Sequence, residues 1–168
     1  MKALLLFSVW ILAFSASAQN PAELDKKGGF KNFRIGDDLS VHQDLIKFTK
    51  TLDNADTKLY LVKELVSVKS YTGEVELRFY KDKLQEVIVS FKNSSKEGYE
   101  DLFESLNVLY GQGQAFKDKS PKFDRFEKMS VWNGEKIGLR LSYDANRKLS
   151  QMTYYGQKNQ LDKLKEDF

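Results

Sequence analysis

Residues 72–91 read TGEVELRFYKDKLQEVIVSF, and this stretch decides the fold. Three apolar residues alternate with charged ones in its first half: Val75, Leu77 and Phe79. A second run of the same period-two type follows at 84–91, so both runs read as half-buried strands. A three-residue loop over 81–83 would place Arg78 opposite Glu86 as a favourable cross-strand charge pair. The sequence therefore predicts an antiparallel hairpin whose register is fixed by its core pattern.

Three more strands are predicted towards the C-terminus, over about 126–132, 137–143 and 149–155. Asn133-Gly134 marks the first turn between them. A strict two-residue turn would mix polar with apolar partners, whereas a three-residue loop would match Val131 with Ile137. We therefore expect the three-residue loop here. Two further strands are predicted upstream, over 30–35 and 59–68.

Helix signals precede each group of strands. The stronger helix has a capping box at Ser94 and Glu97 and ends at Gly111. Its apolar face follows helical spacing: Tyr99, Leu102, Phe103, Leu106, Leu109 and Tyr110. An earlier helix is predicted over 41–52, capped by Asp38 or Ser40. Its apolar face would be Val41, Leu45, Ile46, Phe48 and Leu52. A short C-terminal helix is predicted over 158–168.

Together these elements predict the α+β class. We expect an antiparallel sheet of about six strands with two main helices on one face. The order helix, strand, strand, strand occurs twice, over 40–92 and 96–155, which predicts two tandem units. Leu77-Arg78 in the first hairpin recurs as Leu139-Arg140 in the second. Similarity this short also arises by chance, so both explanations of the repeat stay open.

The chain resembles the beta-lactamase-inhibitor-protein-like fold in these two helix-plus-sheet units. Phe33-Arg34-Ile35-Gly36, Phe79-Tyr80-Lys81-Asp82-Lys83-Leu84 and Leu109-Tyr110-Gly111 are also similar to segments of small exported Gram-negative proteins. The resemblance implies a curved sheet, helices on one face and a concave surface open to a partner. The inhibitor's disulfides are missing from this sequence, and no inhibitory loop motif matches, so lactamase inhibition is not implied.

The N-terminus predicts export. Residues 1–18 combine a positive start, an apolar run and Ala16-Ser17-Ala18, so we expect cleavage between Ala18 and Gln19. The apolar run is about a dozen residues, whereas a membrane anchor needs about 20. The predicted organisation is a signal peptide, a flexible leader at 19–29 and one domain at 30–168. A periplasmic or secreted protein without a membrane anchor is expected.

The composition of the chain argues against several classes of partner and several kinds of chemistry. The chain has no cysteine, which excludes disulfides and the lipidation that needs a cysteine after the signal. The formal charge is +3, or +2 without the signal peptide, and no basic stripe indicates nucleic-acid binding. His42 is the only histidine and is expected at the surface or partly packed, so neither a metal nor another cofactor is predicted. Asp37-Asp38 and Asp53–Asp56 fit caps and turns better than calcium loops.

The candidate binding residues follow from the predicted registers, which place aromatic, aliphatic and arginine side chains on the outer sheet face. They are Tyr80, Leu84, Ile88, Trp132, Arg140 and Tyr155. Tryptophan, tyrosine and arginine are enriched at binding hot spots, so a contiguous exposed patch for a protein or peptide partner is expected. The alternative is that another element covers this face.

Two other functions stay open alongside the non-enzymatic binding module. A hydrolase would use paired carboxylates such as Glu74, Glu76 or Glu86. A carrier would hold a small apolar ligand between the helices and the sheet.

Overall fold

The computed structural model describes residues 20–52, 56–116 and 121–157. The predicted signal peptide, its cleavage site and the helix predicted over 158–168 lie outside these residues. None of the helices in the described parts of the chain has the length and apolar character that crossing a membrane requires.

Eleven strands and two α-helices form the described fold, with 3-10 helices at Leu39–Leu45 and Pro121–Phe123. The α-helices are α1 (Pro21–Lys27) and α2 (Lys96–Tyr110). The first strands are β1 (Gly29–Phe30), β2 (Phe33–Arg34), β3 (Ile46–Thr51), β4 (Thr57–Val62), β5 (Val66–Val68), β6 (Tyr71–Tyr80) and β7 (Lys83–Lys92). The remaining strands are β8 (Gln114–Ala115), β9 (Lys128–Asn133), β10 (Ile137–Asp144) and β11 (Leu149–Gly156).

One antiparallel sheet dominates the molecule and has nine strands, not about six. Its order is β3-β4-β6-β7-β11-β10-β9-β8, and β5 pairs with β6 beside this path. Along this path four strands lie on each side of the junction between β7 and β11, and β5 is a fifth on the β7 side. The additional strands come from short segments that the sequence pattern left as loop, such as β8, or merged into one strand, such as β4 and β5.

The hairpin of β6 and β7 confirms the predicted pairs. Leu77 lies opposite Val87, and Arg78 lies opposite Glu86. The loop, however, has two residues, Lys81 and Asp82, because Tyr80 already pairs with Lys83. A register shift between the Arg78 and Phe79 pairs accommodates this difference. It leaves Gln85 as an extra residue on β7, which is a β-bulge.

The predicted helix over 41–52 is wrong. Residues 39–45 form a 3-10 helix, and Ile46 to Thr51 form β3, which pairs with β4. The strand follows from IKFTKT, whose β-branched residues favour extended backbone. Val41 and Phe48, which were expected on a buried helix face, are 66% and 52% exposed.

His42 is buried, contrary to the expectation of a surface or partly packed residue. Its Nε2 lies 2.9 Å from a carboxylate oxygen of Asp37, and its ring centroid lies 5.1 Å from that of Phe33. A buried imidazole requires a hydrogen-bond partner, which Asp37 supplies. The histidine is therefore part of the packing beneath the 3-10 helix.

Helix α2 confirms the stronger helix prediction, with its N-cap one residue later than expected. Ser95 accepts a hydrogen bond from the backbone N–H of Gly98, while Ser94 is buried and bonded to Ser150. Gly111 ends the helix at a φ of 75°. Four of the six predicted face residues are buried, but Leu109 is 45% exposed.

Residues 19–29, predicted to be a flexible leader, mostly form ordered structure where they are described. Helix α1 buries Leu24 in the core and is capped by Asn20 and Gly28. Asp25 accepts backbone hydrogen bonds of 2.8 to 2.9 Å from Glu135, Lys136 and Ile137. Helix α1 is thereby tied to the turn between β9 and β10.

Alternation in the paired strands defines two faces of the sheet. The core face carries the buried row Leu77, Val87, Tyr154, Leu139 and Trp132, which lie side by side across five strands. The outer face carries the side chains that alternate with these along each strand. The ring centroids of Tyr99 and Phe103 in α2 lie 6.3 and 5.7 Å from those of Tyr143 and Trp132, respectively.

Candidate functional site

The structure divides the six predicted binding residues between the two faces. Arg140, Ile88, Tyr80 and Tyr155 occupy outer-face positions, although Tyr155 is only 7% exposed. Trp132 and Leu84 are buried in the core, so the predicted exposed patch containing Trp132 is wrong.

Trp132 lies on the core face because the turn before β10 is longer than expected. Asn133 pairs with Gly138, which leaves four residues in the turn and places Trp132 opposite Leu139. Compared with the predicted three-residue loop, the pairing shifts by an odd number of residues and exchanges the two faces. The indole Nε1 donates a 2.8 Å hydrogen bond to the Gly111 carbonyl.

Leu84 lies on the core face because of the bulge at Gln85. The two-residue turn pairs Leu84 with Phe79, and both side chains are fully buried. The Leu84 backbone also bonds the segment before the first 3-10 helix, through the Gly36 N–H and the Asp37 carbonyl. This leucine is therefore a core residue.

An arginine cluster occupies the outer face where β6, β7, β10 and β11 are neighbours. We define it as Arg78, Arg125 and Arg140, together with Glu86 and Tyr155. Arg140 interacts electrostatically with each of the other four. The chain contains five arginines in total, so three of them converge here.

Arg78 and Arg140 differ in how their charge is compensated. Arg78 forms a 2.6 Å ion pair with Glu86, which sits directly opposite on β7. The side chain of Arg140 makes neither a hydrogen bond nor an ion pair with any residue in the described part of the chain. Its guanidinium faces the Phe123 ring, 5.2 Å from the centroid. The Nε atoms of both arginines are buried and lack a hydrogen-bond partner.

Burial and neighbouring charges shift the pKa values at the cluster. Burial lowers the pKa of Arg140, and the adjacent Glu86 partly offsets this effect. Burial raises the pKa of Tyr155, and the positive charge of Arg140 opposes the rise. Arginine stays charged at any ordinary pH, so the cluster presents a desolvated positive charge beside a neutral phenol.

Gly138 shapes the floor of the cluster. A Cβ at this position would lie 2.3 Å from the Tyr155 ring, so only glycine lets the ring lie flat across β10. The ring thereby fills the gap between Glu86 on one side and β10 on the other. Arg78 and Glu86 remain accessible, with side-chain exposures of 29% and 20%.

Arg78, Glu86, Arg125 and Phe123 were not among the predicted binding residues. The predicted register identifies the Arg78–Glu86 pair only as a cross-strand contact of the sheet. Phe123 and Arg125 come from the segment between β8 and β9, whose position over the sheet has no periodic signal. The sequence feature that could identify this segment as part of the site is its content of aromatic and arginine residues at 123–126.

The described residues give less support to a metal site or to a hydrolase that uses paired carboxylates. They contain no group of three or more histidine, aspartate or glutamate side chains arranged to hold a metal ion. Glu74 pairs with Lys92 at 2.8 Å, and Glu86 pairs with Arg78, so two of the carboxylates considered for a hydrolase are held by different cations.

A groove of about 350 Å³ lies between α2 and the strands β8 and β9. Its walls are polar and apolar in about equal measure, and the Lys128–Glu100 ion pair lies at its side. The apolar lining comprises Tyr99, Phe103, Ala115, Phe116 and Met129.

The fold and the site define an α+β protein dominated by one antiparallel sheet, with a cluster of arginines on its outer face. Residues 28–167 match the TP0088 domain, and the chain belongs to this family. Comparison of this chain with curated proteins and with solved structures finds no significant match.

Proposed function

We propose that this chain is an exported, non-enzymatic binding module that holds an anionic group of a protein or peptide partner on its outer sheet face. The observation that carries the proposal is Arg140, a mostly buried guanidinium that lacks an ionic partner among the described residues. An uncompensated buried charge is costly, and a bound anion would remove that cost. Arginine is also the side chain best suited to planar anions, because it donates two parallel hydrogen bonds.

The test measures thermal stability of the chain from Gln19 with acetate or phosphate, at constant ionic strength set with chloride. A ligand that binds only the folded state raises the melting temperature. Arg140→Met keeps an apolar side chain over Phe123 but removes the charge. We expect the anions to stabilise the wild type and not this variant.

The matched control is Arg34→Met, because Arg34 is exposed on β2 and lies outside the cluster. It should respond to the anions as the wild type does. An equal rise in melting temperature for Arg140→Met and the wild type would contradict the proposal, since the stabilisation would then be a general salt effect.

Export to the periplasm or the medium is part of the proposal. The order of charged, apolar and small residues in 1–18 supports it. N-terminal sequencing of the protein recovered outside the cytoplasm should begin at Gln19. A sequence beginning at Met1 would contradict the cleavage.

The finer description of the fold is also proposed: α1 and α2 on the core face, and two tandem units similar to the beta-lactamase-inhibitor-protein-like fold. The strand order supports it, since the main path of the sheet has four strands on each side of the β7–β11 junction, with β5 added on one side. The contacts of α2 with Tyr143 and Trp132 support the placement of that helix.

A small-ligand carrier is the second candidate, and the groove beside α2 favours it. A volume of about 350 Å³ is within the range of small-molecule sites. An environment-sensitive apolar dye should bind the wild type, and Phe116→Ser should weaken its binding. Unchanged dye binding in that variant would exclude this groove as the site.

A further inference from the structure

We infer that the free edge of β3 binds an extended, acidic segment of another protein, which joins the sheet as an additional antiparallel strand. The inference goes beyond the proposed function, because β3 begins the path of the sheet and four strands, β4, β6, β7 and β11, separate it from the strand of Arg140. Three features of β3 carry it: an open backbone edge, exposed apolar side chains and lysines without an ionic partner.

The backbone edge of β3 is open. No described strand lies on the side away from β4, and residues 47–51 are all exposed. The N–H of Lys63, just after β4, donates a 2.9 Å hydrogen bond to the Leu45 carbonyl. Because backbone direction alternates in an antiparallel ladder, Lys47 also directs its backbone groups to β4. Ile46 and Phe48 direct theirs outwards, where an added strand would pair with them.

Exposed apolar side chains are concentrated near this edge. Seven large apolar side chains in the described part of the chain are exposed, and five of them come from residues 41–65. They are Val41, Leu45, Phe48, Leu61 and Leu65. Phe48 lies on β3 itself, and only the Tyr60 ring of β4 packs against its ring among the described aromatic residues. Clustered apolar side chains of this kind mark an interaction site, whereas single ones are ordinary surface.

The lysines of β3 favour an acidic partner. Strands β3 and β4 contain three lysines and no acidic residue. Lys58 pairs with Asp82 at 3.2 Å, whereas Lys47 and Lys50 form no ion pair with any described residue. Asp44 precedes β3 in the 3-10 helix and does not pair with either of them. The edge therefore presents two unpaired positive charges that carboxylates on a neighbouring strand would compensate.

A bulge brings these two charges to the same face. The register shift between Phe48 and Lys50 leaves Thr49 as an extra residue on β3. Lys47 and Lys50 consequently both occupy outer-face positions, although they are three residues apart. Phe48 lies between them on the core face, in the row of Leu77. A strand that alternates acidic and apolar residues would match both faces at once.

The same lysines argue against a second copy of this chain as the added strand. If two β3 strands paired antiparallel about this segment, Lys47 of one copy would lie near Lys50 of the other. Like charges that face each other across strands are destabilising, and lysine on an edge strand commonly prevents such self-association. The charges thus select a different, acidic partner.

The experiment measures the fluorescence anisotropy of labelled, capped seven-residue peptides mixed with the chain from Gln19. The first peptide alternates glutamate with valine, and the second alternates lysine with valine. The third has the composition of the first in an order without alternation. We expect the first to bind, the third to bind at least tenfold more weakly and the second not to bind. Failure of the first peptide to bind, or equal binding of any two, would overturn the inference.

Charge reversal on β3 locates the site. Lys47→Glu and Lys50→Glu should each weaken binding of the glutamate peptide by about three- to tenfold, and the double variant should bind the lysine peptide instead. Lys148→Glu, in the exposed turn between β10 and β11, is the matched control and should bind as the wild type does. All these lysines are exposed, so the melting temperatures should stay close to that of the wild type. Unchanged affinity in both β3 variants would overturn the inference.

Backbone methylation distinguishes strand addition from simple charge attraction. In an antiparallel pair, the residues opposite Ile46 and Phe48 direct their N–H groups to β3 and their side chains to the core face, so they are the valines. Methylation of the valine nitrogens should abolish binding of the glutamate peptide, whereas methylation of the glutamate nitrogens should leave it intact. The same effect from both modifications would contradict an added strand.

Two further measurements separate this inference from its alternatives. Arg140→Met should bind the glutamate peptide as the wild type does. Loss of the peptide in that variant would assign it to the arginine cluster and overturn the inference while leaving the proposed function intact. If the peptide binds β3 but acetate and phosphate do not act through Arg140, the proposed function fails and the edge site stands.

Sedimentation of the chain alone tests for self-association through β3. We expect a monomer, because the lysines oppose pairing of two copies. A dimer that Phe48→Ser abolishes would assign the edge to a second copy of this chain and overturn the inference.

Discussion

Single residues show most clearly what packing demands of this sequence. Trp132 combines a hydrogen bond to the Gly111 carbonyl with close contact to Gly113, where a Cβ would lie 2.5 Å from the indole. This contact explains the glycine at position 113, while Gly111 ends α2 at a φ of 75°. The same residue that the sequence suggested as a binding hot spot is thus an anchor between α2, its C-terminal loop and β9.

Truncation of Trp132 should destabilise the fold strongly. Trp132→Ala is expected to lower the free energy of unfolding by about 3–5 kcal/mol, because the cavity is fully enclosed. Urea denaturation measures the effect. Leu109→Ala, which removes a half-exposed apolar side chain from α2, should cost far less. Similar costs for the two variants would contradict the burial of Trp132.

Fluorescence offers an independent check. The chain has two tryptophans, and Trp10 lies in the predicted signal peptide. Trp132 is therefore the only tryptophan from Gln19 onwards. Its emission should be blue-shifted and poorly quenched by acrylamide until the protein unfolds. Emission typical of exposed indole in the native protein would be inconsistent with the structure.

At the scale of elements, a strand register is predictable where two independent features of the sequence indicate the same one. Val75, Leu77 and Phe79 fixed the faces of β6, and the Arg78–Glu86 pair independently fixed its register, so this hairpin was predictable. For the β9–β10 turn, only the pairing of apolar residues across the two strands indicates the loop length. A loop of a different length can exchange the core-facing and outer-facing side chains of the strand. Leu84 was misplaced because a bulge has no signature in residue pattern alone.

The helix prediction for residues 41–52 is wrong for a different reason. Its apolar residues at 41, 45, 46, 48 and 52 fit a helical stripe, while Ile46, Phe48 and Lys50 also fit a strand. Pairing with β4 decided between them, and that is a long-range contact. The arginine cluster was likewise only partly predictable, since Arg140 and Tyr155 were identified but Phe123 and Arg125 reach it through tertiary structure.

The turn of the first hairpin can be improved. Lys81 and Asp82 both have positive φ values, of 48° and 59°. Asparagine and glycine tolerate this conformation better than lysine and aspartate do. The double variant Lys81→Asn, Asp82→Gly should raise the free energy of unfolding by about 0.5–2 kcal/mol. A fall in thermal stability would show that the turn does not adopt this geometry.

The link between α1 and the β9–β10 turn should depend on pH. Desolvation raises the pKa of Asp25, but three backbone hydrogen bonds together outweigh it and lower the pKa. A lowered folded-state pKa means that the ionised form stabilises the fold above the unfolded-state pKa, near 3.8. That contribution is lost as the pH falls through the folded-state value.

Asp25→Asn should therefore reduce the free energy of unfolding by about 1–3 kcal/mol at neutral pH, since charge-assisted bonds are lost. The difference from the wild type should shrink below about pH 4. Asp44→Asn is the control, because Asp44 is exposed and its carboxylate makes no interaction among the described residues. A difference that is independent of pH would contradict the role of the ionised carboxylate.

At the scale of the whole molecule, the two faces of the sheet serve different purposes. The core face carries rows of buried apolar side chains. The outer face gathers three of the five arginines over the neighbouring strands β6, β7, β11 and β10. We regard this unequal use of the faces as the central feature of the protein.

The most direct test of the arginine cluster is a nitrogen-15 NMR titration that follows the five arginine Nε–H signals. The probe is acetate at constant ionic strength, and the protein is the chain from Gln19. The signals of Arg78 and Arg140 should shift and saturate together, while those of Arg34 and Arg147 should stay unchanged. Parallel small shifts in all five, or none in Arg140, would contradict binding at the outer face.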